Sequence, residues 1–327
     1  FIGVDNAGLL RATGSGTVSI KGTGGTVSNL QIGIRVSSRG DIIGGSSGTL
    51  TLEGTGGTGS GNNNHGIYIS DAGTTITSSG GNITLTGVEG EGMFSTGIHY
   101  LNSGNISTAS NGGNISLIAN SMQVAAGINT NAGSSVTLRP YTNGVSINLG
   151  SATDPIGGPL SLSDAELDFV TTGALIIGDA NTGTITVSAD ITRSAATDMQ
   201  LASNDDVVFS SGSINTSGGT LLLDPGNSPA SVKPTFNGTD ATASTVSFGS
   251  NLAIVINGTT PGNGTGTTYT QLTVAGAVNL TAVNLVLSGS HTPVAGQTFT
   301  IVDNDGADAI TGTFTGLAEG TTIGNFL

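Results

Sequence analysis

A short motif returns at an even distance along the first part of this chain. Gly16-Thr-Val-Ser-Ile20, Gly48-Thr-Leu-Thr-Leu52, Gly81-Asn-Ile-Thr-Leu85 and Gly113-Asn-Ile-Ser-Leu117 begin 32, 33 and 32 residues apart. A period this regular demands a repeat architecture, in which no unit can bury its apolar side alone and each must stack on its neighbour. Within every copy, apolar and small polar residues alternate, the pattern of a half-buried strand.

Two further tracks run beside the first. One is Gly33-Ile34-Arg35-Val36, Gly66-Ile67-Tyr68-Ile69, Gly97-Ile98-His99-Tyr100 and Gly127-Ile128-Asn129. The other is centred on Ile42, Ile76, Ile106 and Val136. Three strands repeating together predict an all-β fold, a parallel β-helix (solenoid) with three faces per coil, and right-handed crossovers are the expected chirality. Gly54 to Gly61, Gly80-Gly81 and Gly112-Gly113 are expected to supply positive φ at the corners. An antiparallel sandwich or propeller would need frequent Asn-Gly or Asp-Gly hairpins, and these are few.

Composition agrees. Of 327 residues, 55 are Gly and only 9% are charged. Helix formers are depleted and Ser, Thr and Asn stand in their place. Disorder is the rival for so simple a chain, but Val, Ile and Leu recur at strand spacing. The formal charge of −14, from 21 acids and 7 bases, argues against a nucleic-acid partner. With no Cys there are neither disulfides nor thiolate metal sites. No apolar run reaches the ~18 residues of a membrane span. The first residue is Phe, and the expectation is a mature or truncated segment of a longer secreted precursor, cut at both ends.

Three zones are expected. Residues 1–138 carry the regular repeats of about 32 residues, 139–235 a less regular solenoid, and 236–327 a C-terminal β cap or small β domain. Ser163-Asp164-Ala165-Glu166-Leu167 is the one helical turn, with Ser163 and Glu166 spaced as a capping box and a corner to cross.

The runs Leu160-Ser-Leu-Ser-Asp-Ala-Glu-Leu-Asp168, Gly173-Ala-Leu-Ile-Ile-Gly-Asp-Ala-Asn-Thr-Gly183 and Thr184-Ile-Thr-Val187 resemble a segment of bacterial filamentous-haemagglutinin-like surface proteins. The Gly-Asn-Ile-Thr-Leu repeats are similar to theirs as well. Phe299-Thr-Ile-Val-Asp-Asn-Asp-Gly306, leading to Gly312-Thr-Phe-Thr-Gly-Leu-Ala-Glu-Gly320, resembles the C-terminal repeats of autotransporter-like passengers. The N-terminal secretion module of two-partner haemagglutinins has no counterpart here. The resemblance implies a secreted, non-enzymatic structural or adhesive protein of a bacterial surface or extracellular filament. Its partners would be a second copy of itself, added head-to-tail, or surface glycans.

Candidate chemistry is sparse. Asp303, Asp305 and Asp308 place carboxylates beside Gly306, an arrangement that can hold Ca²⁺, although the Glu that completes a calcium loop is missing and a plain Asp-Gly turn explains the run as well. No other cofactor is expected. Asp164, Glu166, Asp168, Asp205 and Asp206 read as solvated surface, with no His or Lys beside them in sequence. His65 reads as a loop residue and His99 as outward-facing, with no second His close to either in sequence, and His291 stands apart. Two alternatives stay open: a carbohydrate-binding or carbohydrate-cleaving β-helix, short of aromatics with four Tyr and no Trp, and an ice-binding solenoid built on units such as Thr49-Leu50-Thr51 and Thr184-Ile185-Thr186.

Overall fold

The computed structural model describes residues 1–101, 104–109, 112–155, 157–224, 241–249, 251–262, 266–304 and 308–323. It is a parallel β-solenoid, and among the described residues its regular structure is all strand apart from one four-residue helix. The chain forms two compact units, Phe1–Ile147 with Ser151–Ile177, and Asn148–Gly150 with Gly178–Leu327.

In the first unit each coil visits three sheets in turn. The first sheet holds Ile2–Asn6, Ile32–Val36, Ile67–Ile69, Ile98–Tyr100 and Met122–Val124. The second holds Leu9–Arg11, Asp41–Gly44, Thr75–Ser78, Asn105–Thr108, Gly127–Asn129 and Val170–Thr171. On the third lie Val18–Thr23, Leu50–Thr55, Ile83–Val88, Ile115–Ile118 and Ser135–Arg139, with residues 174–177 paired onto the last of these.

Register follows from alternation. A slip of one residue would turn each apolar set outward, so every strand stacks in phase on the one before. Leu50, Ile83, Ile115 and Val136 form one inward ladder, and Leu52, Leu85, Leu117 and Leu138 another. All eight are at most 1% exposed. Each such side chain stabilises the fold by about 1.5–3 kcal/mol through burial. The polar residues between them, such as Thr51, Thr84 and Ser116, point outward on the same rungs.

The glycine tracks have a cause other than the expected one. None of Gly54 to Gly61, Gly80, Gly81, Gly112 or Gly113 adopts positive φ. Instead, a Cβ on Gly54 would collide with the Gly66 carbonyl, and one on Gly87 with the Gly97 carbonyl. The first and third sheets approach backbone to backbone there, and only hydrogen fits.

The period breaks earlier than an even 32-residue count allows. Asn114 N donates to Asn82 Oδ1 across 32 residues, whereas Ser135 N donates to Asn114 Oδ1 across 21. The coil after Ile118 has shed its long corner, so Met122–Val124 takes the next place on the first sheet. Gly127–Asn129 therefore pairs with Asn105–Thr108 on the second sheet, and Val136 with Ile115 on the third. Each lies one face away from where uniform spacing puts it.

In the second unit the coils begin short. Ile185–Val187 pairs with Val207–Phe209, Ile191–Thr192 with Ile214–Asn215, and Asp198–Ala202 with Thr220–Asp224. Longer coils follow, with Ala241–Phe248 on Leu272–Asn279 and Asn251–Val255 on Asn284–Ser288. Pairing stays parallel as far as Val302–Asn304 and Ile310–Thr311. An antiparallel bridge joins Ile256 to Tyr269. Burial fades toward the end, where no residue of Asn284–Ser288 is fully buried.

Candidate functional site

The first unit carries an open groove of about 830 Å³ on the outside of its first sheet. Outward residues of that sheet align in a row: Asp5, Arg35, Tyr68, His99 and Gln123 face one another on successive strands. Arg35 and Asp5 form a two-pronged ion pair at one end of it. Tyr68 and His99 lie nearly parallel in a stack, ring centres 5.3 Å apart with 9° between their planes. His65 folds onto the same stack, 4.3 Å from His99.

The two histidines that look scattered in sequence are therefore neighbours. His65 is only 2% exposed despite its place in a loop. Thr96 N donates to His65 Nδ1 at 3.2 Å, which fixes the tautomer protonated on Nε2. Thr96 Oγ1 lies 2.8 Å from that nitrogen and 3.3 Å from His99 Nδ1. Burial, and secondarily the nearby His99, lowers the His65 pKa to about 3, while burial lowers that of His99 to about 4. Both rings are neutral at pH 7, so they offer flat faces and hydrogen-bonding edges without charge.

Apolar side chains rim the groove. Met93 is 56% exposed, Phe94 69% and Phe169 42%. Phe94 sits at φ 60°, as Asn63 (59°) and Leu30 (59°) do one and two coils before it. Three successive coils thus turn into the first sheet through one left-handed residue each. At Phe94 that turn throws an aromatic ring into solvent at a conformational cost.

Two carboxylates close the far wall. The Met122–Val124 strand is the last of the first sheet, and its edge amides need acceptors. Asp154 Oδ2 accepts from Met122 N at 2.8 Å, and Glu166 Oε1 accepts from Val124 N at 3.2 Å. Asp154 Oδ1 also accepts from Ser161 N at 2.6 Å. Glu166 Oε2 completes the expected capping box of the Asp164–Leu167 helix by accepting from Ser163 N and Oγ. Glu166 is consequently a structural acceptor rather than solvated surface. Burial raises the Asp154 pKa to about 7 against its two amide bonds, and Glu166 and Glu89 add to the rise.

Sequence reasoning passed over Asp154, since a lone Asp before Pro carries no signal. The Tyr68–His99 contact was legible, because the two occupy one position of aligned strands. Asp303 is exposed on Val302–Asn304, Asp308 is exposed with its carbonyl accepting from Asn304 Nδ2, and Asp305 lies outside the described residues. No metal-binding cluster of His, Cys, Asp or Glu occurs among the described residues. Nor is any helix of the described residues long and apolar enough to cross a membrane. In the second unit, Asp205 lies just before the Val207–Phe209 strand and accepts from Thr184 Oγ1, and His291 Nε2 meets Gln297 Oε1 at 3.0 Å. No family model, no curated protein and no solved structure matches this chain.

Proposed function

We propose that this chain is a non-enzymatic structural and adhesive solenoid of a bacterial cell surface or extracellular filament, and that the groove is its contact for neutral saccharides. The observation that carries the reading is the groove's rim. Met93, Phe94 and Phe169 all stand exposed around one concavity. Sugar rings present apolar C–H faces edged by hydroxyls, and such a ligand needs flat apolar surfaces with amide, hydroxyl and carboxylate groups between them. Asn63, Ser95, Thr96, Gln123 and Glu166 supply the polar part. No Lys or Arg lines the groove, so anionic glycans gain nothing there.

The resemblance to haemagglutinin-like surface proteins supports the same setting. Long parallel ladders of short side chains favour a rigid stalk that presents a site over one that rearranges around a reaction.

Cleavage is the second reading. It is favoured by Asp154 and Glu166 lining one groove with the former's pKa raised to about 7, as a general acid requires. Against it, both oxygens of Asp154 and both of Glu166 are engaged with the protein's own backbone. Titration with maltohexaose and N-acetylchitohexaose, together with a reducing-sugar assay, separates the two. Binding without release of reducing ends is expected, with at least a tenfold loss of affinity in Phe94→Ala/Phe169→Ala. Equal affinity in that variant overturns the groove assignment, and catalytic release of reducing ends overturns the non-enzymatic one.

A further inference from the structure

We propose that Asp154 is a proton-operated clasp that fastens the groove's wall when protonated and loosens it when ionised. Asp154 is one link joining two strands of the first unit, because its two oxygens hold Met122 N on the Met122–Val124 edge and Ser161 N on Leu160–Leu162. Next to it, Glu89 and Asp154 line a cavity of about 70 Å³. Glu89 Oε2 is buried and has no hydrogen-bond partner. An orphaned buried carboxylate oxygen is costly, and a carboxyl O–H across the cavity is the donor that would satisfy it.

The groups facing Asp154 all press the same way. Glu89 comes from the third-sheet side and Glu166 from the helix, and each disfavours a second negative charge. On the first sheet, His99 is neutral and provides no counter-charge. Neither cavity is lined by Lys or Arg. The ionised form would make stronger bonds to the two amides, but burial and two like charges outweigh that gain, which is why the Asp154 pKa stands near 7 instead of near 4. With a folded-state value above the unfolded one, a proton bound by Asp154 favours the closed wall. That contribution is complete at about pH 4 and lost as pH rises through about 7. Ionisation draws water to the carboxylate and releases Met122 N and Ser161 N.

Backbone hydrogen exchange of the intact chain between pH 5 and 8.5, corrected for the intrinsic rate, tests the clasp. Protection at Met122 and Ser161 is expected to fall about tenfold across neutrality. In Glu89→Gln, which leaves both amide bonds in place, the midpoint is expected to move to lower pH, because one like charge facing Asp154 is removed. In Asp154→Asn the pH dependence disappears. Protection that follows the intrinsic rate alone in the wild type, or a Glu89→Gln midpoint that does not fall, overturns the proposal. If Asp154→Asn does not fold, Glu89→Gln still decides.

The consequence for ligand capture rests on the saccharide reading above. Maltohexaose and N-acetylchitohexaose are expected to bind several-fold more tightly at pH 5.5 than at pH 8.5. Binding indifferent to pH overturns the regulatory role. If neither sugar binds at any pH while the exchange transition persists, the clasp is supported and the saccharide reading fails alone.

Discussion

The two units fasten successive coils with corner side chains weighted differently between Asn and Asp, although the first also uses Asp71, which accepts from Ser38 N. In the first, corner asparagines accept the backbone N–H one coil on, Asn82 from Asn114 and Asn114 from Ser135. In the second, aspartates do the same work beside an asparagine, Asn257, whose Oδ1 accepts from both N and Oγ of Ser290. Asp190 Oδ1 accepts from both N and Oγ of Ser213, and Asp198 Oδ1 from both N and Oγ of Thr220. An ionised carboxylate is the stronger acceptor of the two, so the same pair of bonds holds more firmly on Asp than on Asn. The acids of a chain with net charge −14 are therefore partly structural. The first unit shows the same use at a sheet edge, through Asp154 and Glu166.

If stacked apolar ladders hold both units and the corners only trim them, core truncation should cost most and equally in each. Leu85→Ala in the first unit and Leu221→Ala in the second, both 0% exposed, are expected to destabilise by about 2–5 kcal/mol. Urea unfolding followed by circular dichroism measures this. A cost below 1 kcal/mol in one unit alone would show that its ladder is not what holds it.

The histidine stack sets the first unit apart in its response to acid. His65 and His99 have folded-state pKa values below the unfolded one, so their contribution is complete above about pH 6.5 and lost as pH falls through 4 to 3. Between pH 7 and 4.5 each can cost up to ~2–3 kcal/mol, while Asp154 works in the opposite sense over the same range. His99→Phe keeps a ring in the stack and removes one titration. Thermal melts at pH 7 and 4.5 should show a smaller acid loss in this variant than in the wild type. An equal loss would place the acid sensitivity elsewhere.

Corner substitutions come next in size. Asp198→Ala removes two bonds to Thr220 and should cost about 1–2 kcal/mol, against about 1 kcal/mol for Asn114→Ala, which removes one. The larger cost in the second unit is the sharper test of the carboxylate's advantage, and urea midpoints of the two variants decide it.

What could be read from the sequence depended on whether a contact lay within the period. The third-sheet strands were legible because Ile83, Leu85 and their equivalents repeat at 32 or 33 residues with strict alternation. The capping box was legible because Ser163 and Glu166 are three residues apart. The other oxygen of Glu166 bonds an amide 42 residues away, and no local pattern announces that. The fourth members of two tracks were placed one face off because Gly127 and Val136 fit a uniform count while the chain had dropped a corner. Corner glycines were recognised but given the wrong cause, since close backbone approach and positive φ leave the same residue in a sequence. Asp154 was invisible, and with it the wall of the groove.

The smallest effect is the most informative about the groove. Leu30, Asn63 and Phe94 hold the same left-handed corner in successive coils, and of the three only Asn suits that conformation. Phe94→Asn should stabilise the first unit by about 0.5–1 kcal/mol, because it copies Asn63 and withdraws an exposed ring. The same change should weaken maltohexaose or N-acetylchitohexaose binding about tenfold. A gain in stability with a loss of binding would mean that the strained, exposed Phe94 is kept for contact with a ligand. A gain in stability with binding intact would leave that ring without a role in the groove and shift the apolar contact to Met93 and Phe169.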